Sequence, residues 1–292
     1  MNTAKLSVDA VVITQGRNLE FLQRSIDSLM TQTGVDIKIY CIGNGWAPEG
    51  LPHEVHTSFE PNNLGAPEAR NRGAALGTSD LILFFDDDAW LSDERAIMQL
   101  AEYMRLNSRC GLLQPRLVDP ENGRTEPRWV PRTLVGDPSR PGPAFTISEG
   151  VSLIRRELFD RIGGWAGDFF YGHEGIELTW QVWNHGFTAR YVPQVVAHHP
   201  SGLAFRRPNQ MWMNARNRVW VAKRNLPQPL RQIYLMNWWI ISMFRLQRDS
   251  VARNDWQRGW LAGHSTESVA KSRKISLSTV LKLTCLGHPP II

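Results

Sequence analysis

Short apolar runs alternate with helix-periodic stretches through the first two hundred residues of the chain. Three continuous apolar runs have the length of strands: Asp9 to Thr14 (DAVVIT), Ile37 to Ile42 (IKIYCI) and Leu81 to Phe85 (LILFF). From Leu19 to Met30, apolar residues recur every three or four positions, which predicts one face of a helix. Ala66 to Leu76 is a second predicted helix. The alternation indicates an α/β fold in which helices connect the strands of one sheet.

The pattern continues less regularly toward residue 200. Ser92 predicts the N-cap of a helix that ends near Arg105. The stretch from Val118 to Pro143 is rich in Pro and Gly, and we expect a long functional loop there. The later predicted elements are a strand at Ser148 to Ile154, a helix to about Ile162, a helix from about Gly175 to His185 and a strand at Ala189 to Val192. Beyond about Asp249 we expect loose structure.

Three consecutive carboxylates, Asp86, Asp87 and Asp88, follow the buried run LILFF directly. If that run is a central parallel strand, they lie at the sheet edge where open α/β folds bind ligands. Like charges this close require compensation by water, basic groups or a divalent cation, and oxygen ligands favour Mg²⁺ or Mn²⁺. The alternative is a solvated acidic turn that caps the next helix.

Composition adds a division of charge along the chain. The 292 residues are 42% apolar, enough for a full core, and the net charge is +5. Residues 1 to 200 carry 18 basic and 25 acidic side chains, a net charge of −7, whereas residues 201 to 292 carry 15 and 3, a net charge of +12. The three cysteines lie far apart without metal-ligand spacing, which fits a reducing cytoplasm. We therefore expect an acidic body with a basic appendage that faces an anionic partner.

The segment NNLGAPEARNRGAALGTSDLILFFDDDAWL, residues 62 to 91, resembles the family 2 glycosyltransferases, and the likeness extends over about residues 9 to 225. It implies a GT-A fold, with a mostly parallel central sheet, that binds a nucleotide-sugar donor, with UDP or dTDP favoured. The implied domains are residues 1–205, divided near residue 117 into nucleotide and acceptor halves, and a basic, mainly helical extension at 206–292.

The same resemblance implies residue roles on the donor side. Asp86 and Asp88 match the Asp-x-Asp motif that holds Mn²⁺ or Mg²⁺ on the donor diphosphate, with Asp87 between them. Thr14, Arg17 and Arg70 would line the nucleotide pocket together with Asp86 and Asp87. The Asp that often reads the base is absent from Gly43-Asn44-Gly45-Trp46, so Asn44 is the candidate for base recognition, with Trp46 stacking on the base.

On the acceptor side, the segment FFYGHEGIELTW places Glu174 and Glu177 three residues apart, on one face of a helix. In the family one carboxylate here removes the proton from the acceptor hydroxyl, and Gly175 replaces the Asp that usually does so. We therefore expect Glu174 to be the general base, with Glu177 orienting it or binding acceptor hydroxyls. Each has a structural alternative, such as capping the helix.

Two further candidates follow from the likeness. Family members place a metal-binding His just past the last strand, so His198 is the first choice in VVAHHP and His199 the second, since the strand register is open by one. Trp165, after Gly163-Gly164, would stack on an acceptor sugar, with burial in the core as the alternative. The implied enzyme is an inverting hexosyl- or deoxyhexosyltransferase. A silent sugar-nucleotide or glycan-binding protein and a nucleotidyltransferase are the alternatives.

The segment from 214 to 248 interleaves Arg and Lys with aromatic residues. Its apolar run from Ile233 to Met243 is too short to span a bilayer, but it could lie on an anionic membrane surface from the cytoplasmic side, or pack as a core helix. The acidic body argues against nucleic acid as the partner. The acceptor class stays open among glycans, lipid-linked acceptors and small molecules, and no pattern determines the oligomeric state.

Overall fold

A computed structural model describes residues 7–201, 209–270 and 272–291 of the chain. Its strands are β1 (Ser7–Thr14), β2 (Asp36–Asn44), β3 (Val55–Glu60), β4 (Leu81–Asp86), β5 (Trp90–Leu91), β6 (Cys110–Val118), β7 (Gly142–Pro143), β8 (Val151–Arg155) and β9 (Thr188–His198). Its α-helices are α1 (Leu19–Met30), α2 (Ala66–Ala74), α3 (Ala96–Leu106), α4 (Arg156–Ile162), α5 (Glu174–Asn184), α6 (Gln210–Asn225), α7 (Leu230–Arg245), α8 (Ser250–Ser265) and α9 (Leu277–Cys285).

All nine of these strands belong to one sheet, in the order β3-β2-β1-β4-β8-β6-β9-β5, with β7 paired to β9. The first four are parallel, as the alternation of strands and helices predicts. Strand β8 runs antiparallel to β4 and β6, while β6 and β9 are parallel to each other. The expected α/β fold is confirmed, with the purely parallel pairing confined to the half that contains β1 to β4.

Strand β4 shows why the apolar run is continuous. Leu83 and Phe85 contribute to the core cluster on one face of the sheet, and Ile82 and Phe84 contribute to the cluster on the other. A strand that is covered on both faces needs apolar residues at every position. The polar residues begin where this cover ends, at the carboxyl end of the strand.

Three predicted boundaries and one predicted loose region are wrong. Helix α3 begins at Ala96 rather than at Ser92, because Trp90 and Leu91 pair with β9 as strand β5. Strand β8 begins at Val151, and β9 runs on to His198. The segment after Asp249 is also helical rather than loose. Asp249 accepts a hydrogen bond from the backbone N–H of Ala252, and so caps α8 at its first turn.

The C-terminal helices pack against the domain and against one another. Helix α8 packs closely on α6, because Gly259 lies where any Cβ would meet the backbone oxygen of Trp212 at 2.1 Å. Trp256 and Trp260 then bury their rings against Ala215 and Val219 of α6. The basic appendage is therefore mainly helical, as expected.

Candidate active site

The three aspartates lie at the mouth of a cleft at the carboxyl ends of the parallel strands. Ile13 pairs with Asp86 across β1 and β4, so Thr14 and the three aspartates meet at one edge of the sheet. The cleft has a volume of about 890 Å³, within the range of small-molecule sites. The described residues that line it include these: Thr14, Arg17, Asn44, Arg70, Asp86, Asp87, Asp88, Arg128, Trp129, Ser148, Glu149, Tyr171, Glu174 and His199.

Asp86, Asp88 and His199 form a group that can hold a metal ion. Their ligand atoms lie within 4.8 Å of one another. The Nε2 atom of His199 is 3.2 Å from Oδ1 of Asp88 and 3.8 Å from Oδ2 of Asp86. Two carboxylate oxygens and one imidazole nitrogen are a donor set that suits Mn²⁺ and accommodates Mg²⁺. The residues present therefore fit a divalent cation.

The charged groups of this site change one another's affinity for protons. Burial lowers the pKa of His199, but hydrogen bonds and charges from Asp86 and Asp88 outweigh it and raise that pKa to about 10. Burial also works to raise the pKa of Asp86, yet Arg70 and His199 hold it well below its usual range. Two ionised carboxylates are thus balanced by a guanidinium and an imidazolium, and bound metal would take the place of the imidazolium proton.

His198, the first choice for the metal-binding histidine, lies elsewhere. It pairs with Trp90 in the β9–β5 ladder, and the two rings stack at 5.6 Å between centroids. Successive side chains of a strand point to opposite faces, so His199 faces the aspartates while His198 faces Trp90. The second choice, His199, replaces His198.

Asp87 and Thr14 form the adjoining wall of the cleft. The pKa of Asp87 rises to about 7, because burial and the charges of Asp88 and Asp86 outweigh a hydrogen bond with Thr14. Arg17 is exposed at the rim of the same cleft. These three residues therefore line the cleft, and their contact with a nucleotide stays a prediction.

Arg70 lines the cleft but is committed to carboxylates. Its guanidinium is buried, with Nη2 2.9 Å from Asp86 and Nη1 3.9 Å from Glu174. It links the metal-ligand group on β4 to the first residue of α5. Arg70 therefore fixes the two sides of the cleft against each other.

Asn44 reaches the cleft, but its amide is used by the protein. The amide nitrogen donates to Asn63 and to the backbone oxygen of Gly65, and the amide oxygen accepts from the backbone N–H of Leu64. Both ends of the amide hold the loop that leads into α2. Asn44 thus holds this loop, and its expected recognition of a base stays a prediction. Trp46, the expected stacking residue, packs against the core.

Glu177 and Trp165 are not in the cleft lining and are corrected as site residues. Glu177 is buried and receives two hydrogen bonds from Arg224 of α6, at 2.8 and 3.0 Å. Trp165 is 2% exposed, and its ring packs edge-on against Phe84 with 5.1 Å between centroids. Glu177 therefore joins α5 to the C-terminal helices, and Trp165 has no face available to a sugar.

Glu174 is in the lining, as expected, at the first turn of α5 and only 3% exposed. Gly175 follows Glu174 in the helix. Glu149, which the sequence pattern does not identify as a site residue, lies against Gly175. The carboxylate of Glu149 accepts a 2.7 Å hydrogen bond from the backbone N–H of Gly175. Desolvation and the charge of Glu174 raise the pKa of Glu149 above its usual range, although Arg70 lowers it.

The loop between β6 and β7 supplies a further part of the cleft. Trp129, in a 3₁₀ turn, packs edge-on against the His199 ring with 5.4 Å between centroids. Arg128 lines the cleft beside it and donates to the backbone oxygen of Ser201. In the sequence, only the length and the Pro and Gly content of this loop indicate that it is functional. They do not identify which of its residues line the cleft.

Comparisons with known proteins agree with this geometry. The family model described as glycosyl transferase family 2 matches residues 9–163. No curated protein matches the chain. The fold is similar to the crystal structure of GalNAc-T7 with UDP, GalNAc and Mn²⁺, with a TM-score of 0.66 and 14% identity over 99% of this chain and 59% of that one. This chain thus spans less than two thirds of GalNAc-T7.

Two further solved structures show the same likeness. S. aureus TarS 1–349 gives a TM-score of 0.64 at 13% identity, over 88% of this chain and 81% of that chain. Mannosyltransferase PcManGT from Pyrobaculum calidifontis, in complex with GDP-Man and Mn²⁺, gives a TM-score of 0.59 at 14% identity, over 90% of this chain and 87% of that chain. At these identities the structures establish the fold, which is that of the GT-A glycosyltransferases. Because the family model covers more than half of the 292 residues, the protein belongs to glycosyl transferase family 2.

Proposed function

We propose that this enzyme moves a sugar from a nucleoside-diphosphate sugar to an acceptor hydroxyl, with Mn²⁺ or Mg²⁺ held by Asp86, Asp88 and His199. One observation carries the proposal: these three side chains form a ligand group in a cleft of about 890 Å³. When bound there, the cation supplies positive charge for the diphosphate that leaves. The complexes of GalNAc-T7 with UDP and Mn²⁺ and of PcManGT with GDP-Man and Mn²⁺ support this choice of ligands.

In this proposal, the two halves of residues 1–205 divide the work. Thr14, Arg17 and Asp87 contact the nucleotide sugar on the side of β1 and β4. The acceptor enters from the side of the loop after β6 and of α5. UDP and dTDP sugars come first in the test panel, and the acceptor is a hydroxyl of a glycan, a lipid-linked compound or a small molecule.

The reaction is a single displacement with inversion at the anomeric carbon. The acceptor oxygen bonds to that carbon while the bond from the carbon to the phosphate oxygen breaks. The electron pair of that bond leaves with the nucleoside diphosphate. A carboxylate at the start of α5 takes the acceptor proton. Two carboxylates stand there, Glu174 and Glu149.

A panel of UDP-, dTDP- and GDP-sugars tests this function, with thermal stabilisation and diphosphate release measured with and without Mn²⁺. We expect stabilisation and slow diphosphate release that both depend on the metal. Release of pyrophosphate would instead indicate a nucleotidyltransferase. Binding without turnover, unchanged by Glu174→Gln and Glu149→Gln, would indicate a silent binding protein.

We also propose that helix α7 holds the enzyme on an anionic membrane surface, at the inner face. Within the part of the chain that the structure describes, no helix is long and apolar enough to cross a bilayer. Met236, Ile240 and Phe244, four residues apart on one face of α7, are 58%, 58% and 71% exposed. The net charge of +12 over residues 201 to 292 complements anionic headgroups.

Sedimentation with vesicles tests the membrane proposal. The wild type should sediment with phosphatidylcholine vesicles only when phosphatidylglycerol is included. The double variant Ile240→Asp, Phe244→Asp should stay in the supernatant. Leu134→Asp is the control, because Leu134 is an apolar residue that is 84% exposed but lies in the loop before β7. Equal sedimentation of the double variant and the wild type would refute the proposal.

A further inference from the structure

We propose that Glu149, on the segment before β8, is the catalytic residue that takes the proton from the acceptor hydroxyl, and that Glu174 positions the site through Arg70. The inference rests on the proposed function and assigns the base within it. It reverses the expectation from the sequence, which places the base at Glu174.

The first observation is that position 175, next to Glu174, has no side chain. A Cβ built on Gly175 would lie 2.2 Å from Oε1 of Glu149 and 2.6 Å from the backbone oxygen of Ile147. The space that a side chain at position 175 would enter therefore already holds the Glu149 carboxylate. The family resemblance implies a carboxylate at position 175, which this chain lacks, and the structure places the carboxylate of Glu149 there.

The second step is the way this carboxylate is held. The backbone N–H of Gly175, in the first turn of α5, donates to its Oε1 at 2.7 Å. A helix N-terminus favours negative charge, so the proton acceptor is fixed in place without a basic side chain. Among the described residues, no Lys, Arg or His makes an ion pair with Glu149 within 4.0 Å.

The other two carboxylates of this region have basic partners. Glu174 is 3% exposed and faces Arg70, which is bound to Asp86 in turn. Glu177 is bound to Arg224, outside the cleft lining. Glu149 lines the cleft and is only partly buried, so an acceptor can reach it. Of the three, Glu149 is the carboxylate best placed to meet an incoming hydroxyl.

The electrostatic surroundings suit a base. Desolvation and the negative charge of Glu174 raise the affinity of Glu149 for a proton, and the positive charge of Arg70 keeps it from rising further. A base that binds the proton more firmly than an ordinary carboxylate is more effective near neutral pH. In the step, the acceptor oxygen bonds to the anomeric carbon, its proton passes to Glu149, and the nucleoside diphosphate leaves with the electrons of the broken bond.

The test uses water as the acceptor and follows diphosphate release from the sugar nucleotide that best stabilises the wild type with Mn²⁺. We compare Glu149→Gln, Glu174→Gln and the exposed control Glu121→Gln. Glu149→Gln should lower kcat about 100-fold or more, keep the Mn²⁺-dependent thermal stabilisation by the donor, and lose the acidic limb of the pH–rate profile. The control should match the wild type.

The outcomes separate this inference from the proposed function. A Glu149→Gln variant that keeps more than a tenth of the wild-type kcat, or keeps the acidic limb, overturns the assignment. A wild type that shows no metal-dependent stabilisation and no diphosphate release overturns the proposed function instead. If Glu149→Gln fails to bind the donor, the variant Gly175→Ala tests the assignment instead. This variant keeps both carboxylates but displaces that of Glu149. A tenfold or greater loss of kcat then supports the assignment, and the wild-type rate refutes it.

Discussion

Replacing Gly175 with Ala tests how closely the Glu149 carboxylate is held at the start of α5. The new Cβ would lie 2.2 Å from Oε1 of Glu149, whereas ordinary contact begins at 3.4 Å, so the carboxylate must retreat by about 1.2 Å. A displacement of about 1 Å in a reacting group costs roughly 100-fold in rate, or about 2.7 kcal/mol of transition-state stabilisation. We expect kcat for diphosphate release to fall by that factor.

The free energy of unfolding of the same variant should fall by no more than a similar amount. Overpacking against the Ile147 carbonyl costs about 1–3 kcal/mol, and Ala in place of Gly in a helix returns about 0.5–1 kcal/mol. The net loss is at most about 2.5 kcal/mol, a fall in Tm of no more than about 8 °C. Calorimetry and steady-state kinetics measure the two effects separately.

The matched control is Gly142→Ala, because a Cβ on Gly142 meets nothing within 4 Å and that backbone does not require glycine. This variant should keep the wild-type kcat and Tm. If Gly175→Ala also kept the wild-type kcat, the carboxylate of Glu149 would not be held where the structure has it, and the assignment of the base would lose its geometric support.

Three other perturbations have definite expected results. His199→Ala should abolish the rise in Tm that Mn²⁺ produces, whereas His198→Ala should keep it; the reverse would restore the assignment to His198. Asp9→Asn should lower the free energy of unfolding in urea by about 3 kcal/mol, because the buried Asp9 is bound to Arg156 at 2.7 Å, and an unchanged midpoint would contradict this. The Tm of Glu149→Gln, relative to the Tm of the wild type, should increase as the pH rises from about 5 to 8. Folding raises the pKa of Glu149, so this group adds stability at pH values below about 4.5, its pKa in the unfolded chain. That added stability is lost as the pH rises through the pKa of the folded protein, and the Gln variant does not lose it. A Tm difference between variant and wild type that stays constant with pH would contradict the raised pKa.

The sequence was sufficient for the parts of the site that depend on local pattern. The run Leu81 to Phe85 predicts a buried strand because both of its faces need apolar residues, and the three aspartates then follow at the ligand-binding edge. The structure places Thr14, Arg17 and Arg70 in the same cleft, as the resemblance implies. Their roles toward a donor stay predictions.

The sequence could not decide between His198 and His199 because the two residues that precede Ala197, Val195 and Val196, are both apolar. Alternation along a strand identifies the two faces only when apolar and polar residues alternate, so two adjacent valines leave the register open by one. In the structure, His198 pairs with Trp90 across β9 and β5, and it is His199 that lies beside Asp88.

Other contacts at the site depend on partners that are distant along the chain. Arg224 is 47 residues beyond Glu177, and only the packing of α6 brings them together. Glu149 and Gly175 meet across 26 residues. A carboxylate that looks free to act in the sequence can thus be bound by a later helix, and a carboxylate from an earlier loop can lie beside the start of α5.

The central claim is that Asp86, Asp88 and His199 hold a cation that a donor diphosphate needs. Calorimetric titration of the wild type and of Asp88→Asn with the best-stabilising sugar nucleotide, with and without Mn²⁺, tests it most directly. We expect Mn²⁺ to tighten donor binding by at least about tenfold, equivalent to about 1.4 kcal/mol, in the wild type and to have no effect in the variant. Equal affinity with and without Mn²⁺, or a full metal effect in Asp88→Asn, would contradict the claim.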